Sequence, residues 1–324
     1  MCNAPSKSAA SDVEFLPARP AAAFGTAQGG LLAPPIRAAW PIPAGLLPAR
    51  ADYALSRGYA ASAFVYPPVG RALSPVIYVH GIQSHPGWFT RSCAALAQAG
   101  HPVLAITRRG SGDAMPARGH ADSPDILLAD IDAAIKLSGD LSGAAKPVHL
   151  VGVSWGGKLL AAYCLSGVRA AKVASLTLVA PGIVPQVDVS LRVKLAIAAA
   201  LVYEPKKRFA IPLNHPELFT DNAAMQQYLK DDPAQLHEAT AAFYYASKRL
   251  DARLSRAAGG SLAVPTTLML ARRDRIIDNV RTRAAVERLT GGRARILTFE
   301  AAHTLDFESD PSAFLDALVG ACGG

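Results

Sequence analysis

Short apolar runs recur along the chain, and several stretches between them carry apolar residues at helical spacing. The runs predict two short strands within residues 51–66 and further strands at 74–81, 101–112, 146–154, 172–181, 264–274 and 294–300. Helical spacing occurs at 89–99, 123–138 and 156–166, and a closing helix is predicted from near Pro311. Strands that alternate with helices are typical of a parallel sheet covered on both faces. The pattern therefore predicts an α/β fold with a mostly parallel central sheet flanked by helices.

One long segment breaks this alternation. Residues 182–260 are helical in pattern and contain no convincing strand. An insertion of this size between two strands is typical of a lid or cap over a ligand site. Residues 1–48 are rich in Ala, Pro and Gly without periodicity, which predicts an irregular N-terminal extension. The predicted organisation is thus an extension at 1–48, a core at 49–181, a helical cap at 182–260 and the second part of the core at 261–324.

A glycine-flanked serine lies where a predicted strand meets a predicted helix. Residues 152–156, GVSWG, fit the pattern G-x-S-x-G. A sharp strand-to-helix turn would push the hydroxyl of Ser154 into the cleft beyond the strand ends, and a Cβ on either flanking glycine would clash there. The alternative is a tight glycine-lined turn with an incidental serine. The context favours a nucleophile.

A serine hydroxyl needs a base to become a nucleophile. His303 follows the last predicted strand, so it is expected at the same sheet edge as Ser154. His215 and His237 lie in the insertion, where surface or helix-capping roles fit better. We therefore predict His303 as the base.

The base in turn needs an orienting acid after a strand at the same edge. Asp274 comes directly after a predicted strand. Asp278 is its rival, with capping of a helix near Asn279 as its alternative role, and Asp306 is expected to mark a turn. We predict Asp274 as the acid.

Two backbone amides are expected to hold the oxyanion of an acyl-transfer reaction. One is the N–H of Trp155, the residue after the nucleophile, and the other is that of Ile82 in the loop 80–88. The ring of His80 is interpreted as a support for that loop. His85 is predicted as a substrate-binding residue, although bracing of the loop is an equally open interpretation.

Composition narrows the function classes. The net charge is +8, but basic residues are scattered and no nucleic-acid-binding motif is visible, so no nucleic-acid partner is expected. The four cysteines lie far apart without a CxxC, which argues against disulfide bridges and a structural metal. Neither a secretory signal nor an apolar run of about 20 residues is visible, so a cytoplasmic protein is expected. No cofactor is implied.

Five motifs in order resemble one known family. They are HGIQSHPGWF, RRGSG, GVSWGG, LARRDRIID and AAHTLDFE, and the similarity spans roughly residues 50–318. The chain resembles α/β-hydrolases of the monoacylglycerol lipase and serine aminopeptidase S33 (lysophospholipase-like) type. The resemblance implies an α/β-hydrolase fold with a cap, the triad Ser154, Asp274 and His303, and oxyanion donors at Ile82 and Trp155. Trp155 departs from relatives that often carry Met there.

These features together predict a serine hydrolase of carboxylic esters, acting on an acylglycerol or similar lipid-like ester. The cap helix within 189–209 either lines an acyl site and touches a membrane surface transiently, or is simply a buried helix ending in a basic cluster. Amide or peptide cleavage, acyl transfer and non-catalytic ligand binding stay open as alternatives. A peptidase would need cap acids to hold an amine, and the candidates are Glu204, Glu217, Asp221, Asp231, Asp232 and Glu238. The sequence does not give the oligomeric state.

Overall fold

A computed structural model of the protein describes residues 46–55, 59–112, 118–142 and 146–323. The predicted N-terminal extension lies outside the described residues as far as position 45. The predicted turn at 56–58 also lies outside them.

An eight-stranded sheet forms the centre of the described structure. Its strands are β1 (Ala49–Leu55), β2 (Tyr59–Tyr66), β3 (Val76–Val79), β4 (Val103–Ile106), β5 (Val148–Val153), β6 (Val173–Val179), β9 (Thr266–Ala271) and β10 (Arg295–Phe299), with β7 and β8 lying in the cap. Their spatial order is β1-β2-β4-β3-β5-β6-β9-β10. The β1–β2 and β2–β4 pairs are antiparallel, and all other pairs are parallel. The α/β-hydrolase fold with a mostly parallel sheet is confirmed.

The central strands are apolar on both faces, because helices cover the sheet on either side. Every residue of β3, β4 and β9 is buried. Continuous apolar runs of this kind are typical of buried parallel strands, whereas strands of a sheet with one solvent-exposed face would alternate apolar and polar residues. The core therefore lies along the length of these strands.

Helices connect and cover the strands. They are α1 (Thr90–Gln98), α2 (Pro124–Ser142), α3 (Trp155–Cys164), the short α4 (Gly167–Ala170), α8 (Asn279–Thr290) and α9 (Ser312–Gly323), with α5 to α7 lying in the cap. Ser123 is the N-cap of α2, since its Oγ accepts a hydrogen bond from the Ile126 amide at 3.3 Å. Proline at the first position of α2 needs no donor there.

The segment between β6 and β9 is mainly helical. It contains α5 (Leu191–Tyr203), β7 (Arg208–Ala210), α6 (Ala223–Asp231), β8 (Glu238–Thr240) and α7 (Ala241–Arg256). The prediction that it holds no strand was wrong, because β7 and β8 pair as a small antiparallel sheet with Phe209 opposite Ala239. Strands of three residues are too short to show a twofold apolar pattern.

The strand order alone indicates where a ligand would bind. From β3 the chain adds β4 on one side and then crosses to place β5 on the other. The loops that follow β3 and β5 therefore diverge at their carboxyl ends and leave a crevice between them. In open α/β sheets, ligands bind at this point of reversal.

Candidate active site

Ser154 lies at this crevice, directly after β5 and before α3. Its φ of 52° and ψ of −120° are strained for a residue with a side chain. Its backbone is held on both sides: the Ser154 amide donates to the Val179 carbonyl at 2.9 Å, and its carbonyl accepts from the Gly182 amide at 2.7 Å. Strain that the surroundings impose in this way is typical of a nucleophile turn.

The two glycines of the motif are required by close approach of the backbone, as predicted. A Cβ on Gly152 would lie 2.8 Å from the carbonyl oxygen of Gly156. A Cβ on Gly156 would lie 2.6 Å from the carbonyl oxygen of His80 and closer still to that of Val79. The turn can pack against β3 only because neither position has a side chain.

His303 and Asp274 form a buried pair at the same sheet edge. His303 Nδ1 lies 2.8 Å from Asp274 Oδ2. The other carboxylate oxygen, Oδ1, accepts from the amides of Ile276 at 2.8 Å and Ile277 at 3.0 Å. His303 Nε2 is buried and has no hydrogen-bond partner within the described residues, so it is not bonded to Ser154 in this structure. Hydrogen bonds to a catalytic base are often long without substrate.

The competing acids occupy other roles. Asp278 caps α8, since its side chain accepts from the Arg281 amide at 2.9 Å. Asp306 is buried on the α1 side and accepts from Ser92 Oγ at 2.7 Å. Neither contacts His303 Nδ1, whose carboxylate partner is Asp274.

The competing histidines are remote from this pair. His215 and His237 are both exposed. They line a separate cavity within the cap that does not include Ser154. Surface roles, the alternative considered for them, fit this placement.

The loop that carries one predicted oxyanion donor lies beside Ser154, and the other predicted donor follows Ser154 in the chain. A Cβ on Gly81 would lie only 3.7 Å from Ser154 Oγ, which places the loop before Ile82 directly beside the serine. The Ile82 amide donates to no protein acceptor in the described part of the chain. Trp155 is the first residue of α3, where amides have no intrahelical acceptor.

His85 lies outside the lining of the cavity at Ser154. Its Nδ1 accepts from the Gly87 amide at 3.1 Å, and its Nε2 lies 3.0 Å from Asp232 Oδ2. The same carboxylate oxygen accepts from Trp88 Nε1 at 2.8 Å. Burial alone would raise the pKa of Asp232, but these partners outweigh it and hold that pKa below its usual range. With both ring nitrogens engaged, the geometry favours loop bracing by His85 over substrate contact.

A cavity of about 460 Å³ opens beside Ser154, Ile82 and Trp155. It lies between the sheet edge and the cap. Its wall is mostly apolar, with aliphatic side chains from Val187, Val189, Ile197, Leu201, Ile211, Leu213, Ile276 and Ile277. Volume and lining suit a small, largely apolar ligand.

Two ion pairs interrupt this apolar wall. Lys158, one helical turn after Ser154, lies 2.8 Å from Asp251 Oδ1, and its Nζ donates to Ser247 Oγ at 2.9 Å. Lys194 pairs with Asp188 at 2.5 Å. Both carboxylates that line the cavity are therefore already neutralised by lysines. Within the described residues, no group of three or more His, Cys, Asp or Glu side chains is arranged to hold a metal ion.

Sequence reasoning missed two buried cations at this site. Lys158 could have been found from its spacing, because residues four apart share a helix face and Ser154 marks that face. Arg108 begins the RRGSG motif, but that motif did not indicate a buried cation, since a basic residue after a strand is ordinarily exposed. Its position became visible only with the tertiary structure.

Comparison with known proteins covers most of the chain. Residues 71–310 match the model of a family described as serine aminopeptidase, S33. No curated protein sequence matches the chain. The described helices, taken one by one, are all too short or too polar to cross a membrane.

Solved structures share the fold at low sequence identity. A soluble variant of monoglyceride lipase from Saccharomyces cerevisiae, bound to a substrate analog, has a TM-score of 0.71 at 15% identity over 82% of this chain and 94% of that one. A monoacylglycerol lipase from Paleococcus ferrophilus has a TM-score of 0.68 at 20% identity over 81% and 99%. An esterase from Exiguobacterium antarcticum has a TM-score of 0.61 at 18% identity over 83% and 98%. These likenesses show a common fold.

Proposed function

Because the chain belongs to the serine aminopeptidase S33 family of α/β-hydrolases, we propose that it is a serine hydrolase that cleaves carboxylic esters. One observation carries the proposal. A strained serine opens into an apolar cavity at the same sheet edge as a buried histidine–aspartate pair. Those are the groups that acyl transfer to a serine requires.

The proposed mechanism assigns one role to each group. His303 Nε2 takes the proton of Ser154 Oγ while the oxygen attacks the ester carbonyl, and Asp274 holds the ring through Nδ1. The amides of Ile82 and Trp155 stabilise the oxyanion. His303 then gives its proton to the departing alcohol, and water attacks the acyl-enzyme with His303 as base again.

The charges around the cavity favour esters over peptides with a free amine. None of the six cap acids considered for a peptidase lines the cavity beside Ser154 within the described residues. The two carboxylates that do line it, Asp188 and Asp251, are each paired with a lysine. A substrate ammonium would find no free carboxylate there, and it would meet Lys158 near the nucleophile.

The cavity supports an acyl substrate of medium size. A methylene group occupies nearly the volume of a water molecule, about 30 Å³, so 460 Å³ has room for about fifteen such groups in total. The similar structures include two lipases of monoacylglycerols. We propose an acylglycerol or similar lipid-like ester as the substrate class.

The outer face of the cap supports a transient contact with a lipid surface. Leu195, Val202 and Tyr203 of α5 are 64%, 73% and 85% exposed, although they belong to an apolar helix. The exposed basic residues 206–208 follow at its end. Apolar side chains beside cations are typical of surfaces that bind anionic membranes.

The three described cysteines support the proposal of a reducing compartment such as the cytoplasm. Cys93, Cys164 and Cys322 are all free and buried. Burial raises the pKa of the Cys164 thiol to about 12, which keeps it unreactive. Fractionation of cells that produce the tagged protein would test this location.

Hydrolysis of p-nitrophenyl esters of increasing acyl length, by the wild type beside Ser154→Ala, tests the function. We expect a maximum at medium lengths of about six to ten carbons, because the cavity limits the chain. We expect Ser154→Ala to lose at least about 10⁴-fold in kcat. Full activity in that variant would contradict the mechanism. Labelling by a fluorophosphonate without hydrolysis of any ester would favour amides or acyl transfer instead.

A further inference from the structure

Arg108 is buried beneath the loop that carries the predicted Ile82 donor. It lies two residues after β4 and is only 2% exposed. Within the described residues, its guanidinium forms no salt bridge with a carboxylate. Burial lowers the pKa of Arg108 to about 9, so the group still carries its charge at neutral pH. A buried cation without a counter-ion is costly, and it needs an explanation.

The guanidinium is instead bonded to three successive carbonyls of the loop. Nε donates to the His80 carbonyl at 3.2 Å. Nη2 donates to the carbonyls of Gly81 at 2.6 Å and Ile82 at 3.0 Å. The planar fork of arginine can hold several acceptors in one fixed arrangement, which a lysine ammonium cannot match.

One of these bonds acts on the peptide group that supplies the donor. The carbonyl of Gly81 and the N–H of Ile82 belong to the same peptide unit. A cation bonded to the carbonyl oxygen draws electron density along that unit and makes its N–H a stronger donor. The charge of Arg108 therefore polarises this peptide group, whose N–H is the donor predicted to bind the oxyanion.

His80 adds a second bond to the same oxygen. Its Nδ1 lies 2.9 Å from the Gly81 carbonyl, and its Nε2 lies 3.2 Å from the Arg108 amide nitrogen. The amide can only donate, so Nε2 accepts and Nδ1 carries the proton. Burial and the nearby Arg108 charge lower the pKa of His80 well below its usual value, which keeps the ring neutral.

Arg108 also contacts the residue that supplies the second predicted donor. Its guanidinium carbon lies 4.6 Å from the centre of the Trp155 ring. Cation–π contacts of this kind are favourable, more so where water is excluded. One side chain thus touches both residues whose amides are predicted to bind the oxyanion.

We propose that Arg108 is the positioning residue of the oxyanion hole. It fixes the Gly81–Ile82 peptide against the Trp155 side and polarises the Ile82 amide. This inference rests on the proposed function, because it concerns the transition state of that same acyl transfer. A residue that only braced the loop would affect stability without a specific effect on the oxyanion.

Arg108→Met and Arg108→Lys test the proposal beside Arg288→Met as a matched control. Arg288 donates to the carbonyls of Leu254 and Ala257, outside the cavity lining, so its variant also loses arginine-to-carbonyl bonds. Each variant is measured for kcat and KM on the best p-nitrophenyl ester. Each is also measured for inhibition by a trifluoromethyl ketone of the same chain length, which forms an oxyanion adduct with the serine.

In Arg108→Met we expect kcat to fall about 10- to 100-fold, less than the loss of a whole oxyanion donor, with KM within about threefold. The inhibition constant should rise by the same factor as kcat falls, because both report on the oxyanion. Arg108→Lys keeps the charge but loses the planar guanidinium, so its kcat and inhibition constant should lie between those of the wild type and those of Arg108→Met. Arg288→Met should leave both constants unchanged.

Unchanged kcat and inhibition in a folded Arg108→Met would overturn the proposal, and so would a loss seen only in KM. If the Met variant does not fold, Arg108→Lys decides: a parallel loss in kcat and inhibition supports the proposal, and wild-type values overturn it. A wild type that hydrolyses no ester and resists fluorophosphonate would overturn the proposed function itself. An active wild type with unaffected Arg108 variants would overturn only this inference.

Discussion

The carboxylate of Asp274 uses its two oxygens for different tasks. Oδ2 contacts His303, while Oδ1 is fixed by two backbone amides. This arrangement fixes both the direction of the carboxylate and the ring that it orients. Asp278, only four residues later, uses its side chain to cap α8.

This difference gives a matched pair of variants. We expect Asp274→Asn to lower kcat by about 10³- to 10⁴-fold, because an amide cannot stabilise the imidazolium and favours the wrong tautomer. Asp278→Asn should stay within about twofold of wild type, because asparagine is an equally good N-cap. Ester hydrolysis measures both. A larger loss in the second variant would move the acid to Asp278.

Asp306 provides a prediction about stability and pH. Burial raises its pKa to about 6, with the bonds from Ser92 lowering it in part. The folded state therefore binds a proton more tightly than the unfolded state, and the associated stability is present below about pH 4 and lost as pH rises through about 6.

We expect the free energy of unfolding of the wild type to decrease relative to that of Asp306→Asn between pH 4 and 7, by up to about 3 kcal/mol. Urea unfolding at several pH values measures the difference between the two proteins. A difference that is flat with pH would show that folding does not shift the pKa of Asp306.

Residues with a local signature were predictable, and residues defined by tertiary contacts were not. Ser154 has flanking glycines, and His303 and Asp274 follow predicted strands, so periodicity and motif spacing indicated all three. The environment of Arg108 depends on how the β3 loop folds over the end of β4. No local pattern encodes that contact. For His85, the deciding partner is Asp232, which lies 147 residues away in sequence.

At the level of elements, the helix that follows Ser154 also anchors the cap. Trp155 Nε1 donates to Ser247 Oγ on α7 at 2.9 Å, and the Trp155 ring stacks on Phe243 at 5.2 Å. Lys158 pairs with Asp251 on the same cap helix. The first turn of α3 therefore follows Ser154 directly and also contacts α7, the cap helix that lines one side of the cavity.

We expect Lys158→Met to destabilise the protein by about 1–3 kcal/mol, because Asp251 loses its closest cation. The loss stays in this range because Asp251 is partly exposed and keeps a second lysine, Lys248, at 3.7 Å. Asp251→Asn and the double variant complete a double-mutant cycle, measured by urea unfolding. The pair should be coupled by at least about 0.5 kcal/mol. Additive effects would mean that the contact does not hold cap and core together.

The main elements of the core follow from the sequence because their apolar runs are long and buried on both faces. The helix predicted at 123–138 begins at Pro124, directly after its N-cap Ser123, and runs four residues further than predicted, to Ser142. The β7–β8 pair was missed because its stability comes from the cap around it and not from its own three-residue strands.

At the level of the whole molecule, the effect of the net charge of +8 on binding depends on where the basic residues lie. Lys206 and Lys207 are exposed and follow α5, a helix that contributes residues to the cavity lining. Lys146 and Lys172 are equally exposed but precede β5 and β6, at the opposite end of the strands.

We expect Lys206→Glu/Lys207→Glu to weaken binding to vesicles that contain phosphatidylserine by at least about tenfold, since each basic residue contributes about 1 kcal/mol near such a surface. Lys146→Glu/Lys172→Glu makes the same change in net charge and should bind like the wild type. Vesicle sedimentation measures both, and hydrolysis of a short soluble ester should be unaffected. Equal losses in the two variants would indicate attraction by net charge alone.

The attachment of the cap has a consequence for how proteins of this kind can diversify. The cap leaves the core after β6, and its first residues are tied to the chain after β9 by the antiparallel bridge between Pro185 and Ile277. Strands β6 and β9 are direct neighbours, so their pairing does not depend on what lies between them in sequence. Selection can therefore change the cap residues that line the cavity while Ser154, His303 and Asp274 keep their places. Chemistry and substrate preference can evolve at separate rates within one chain.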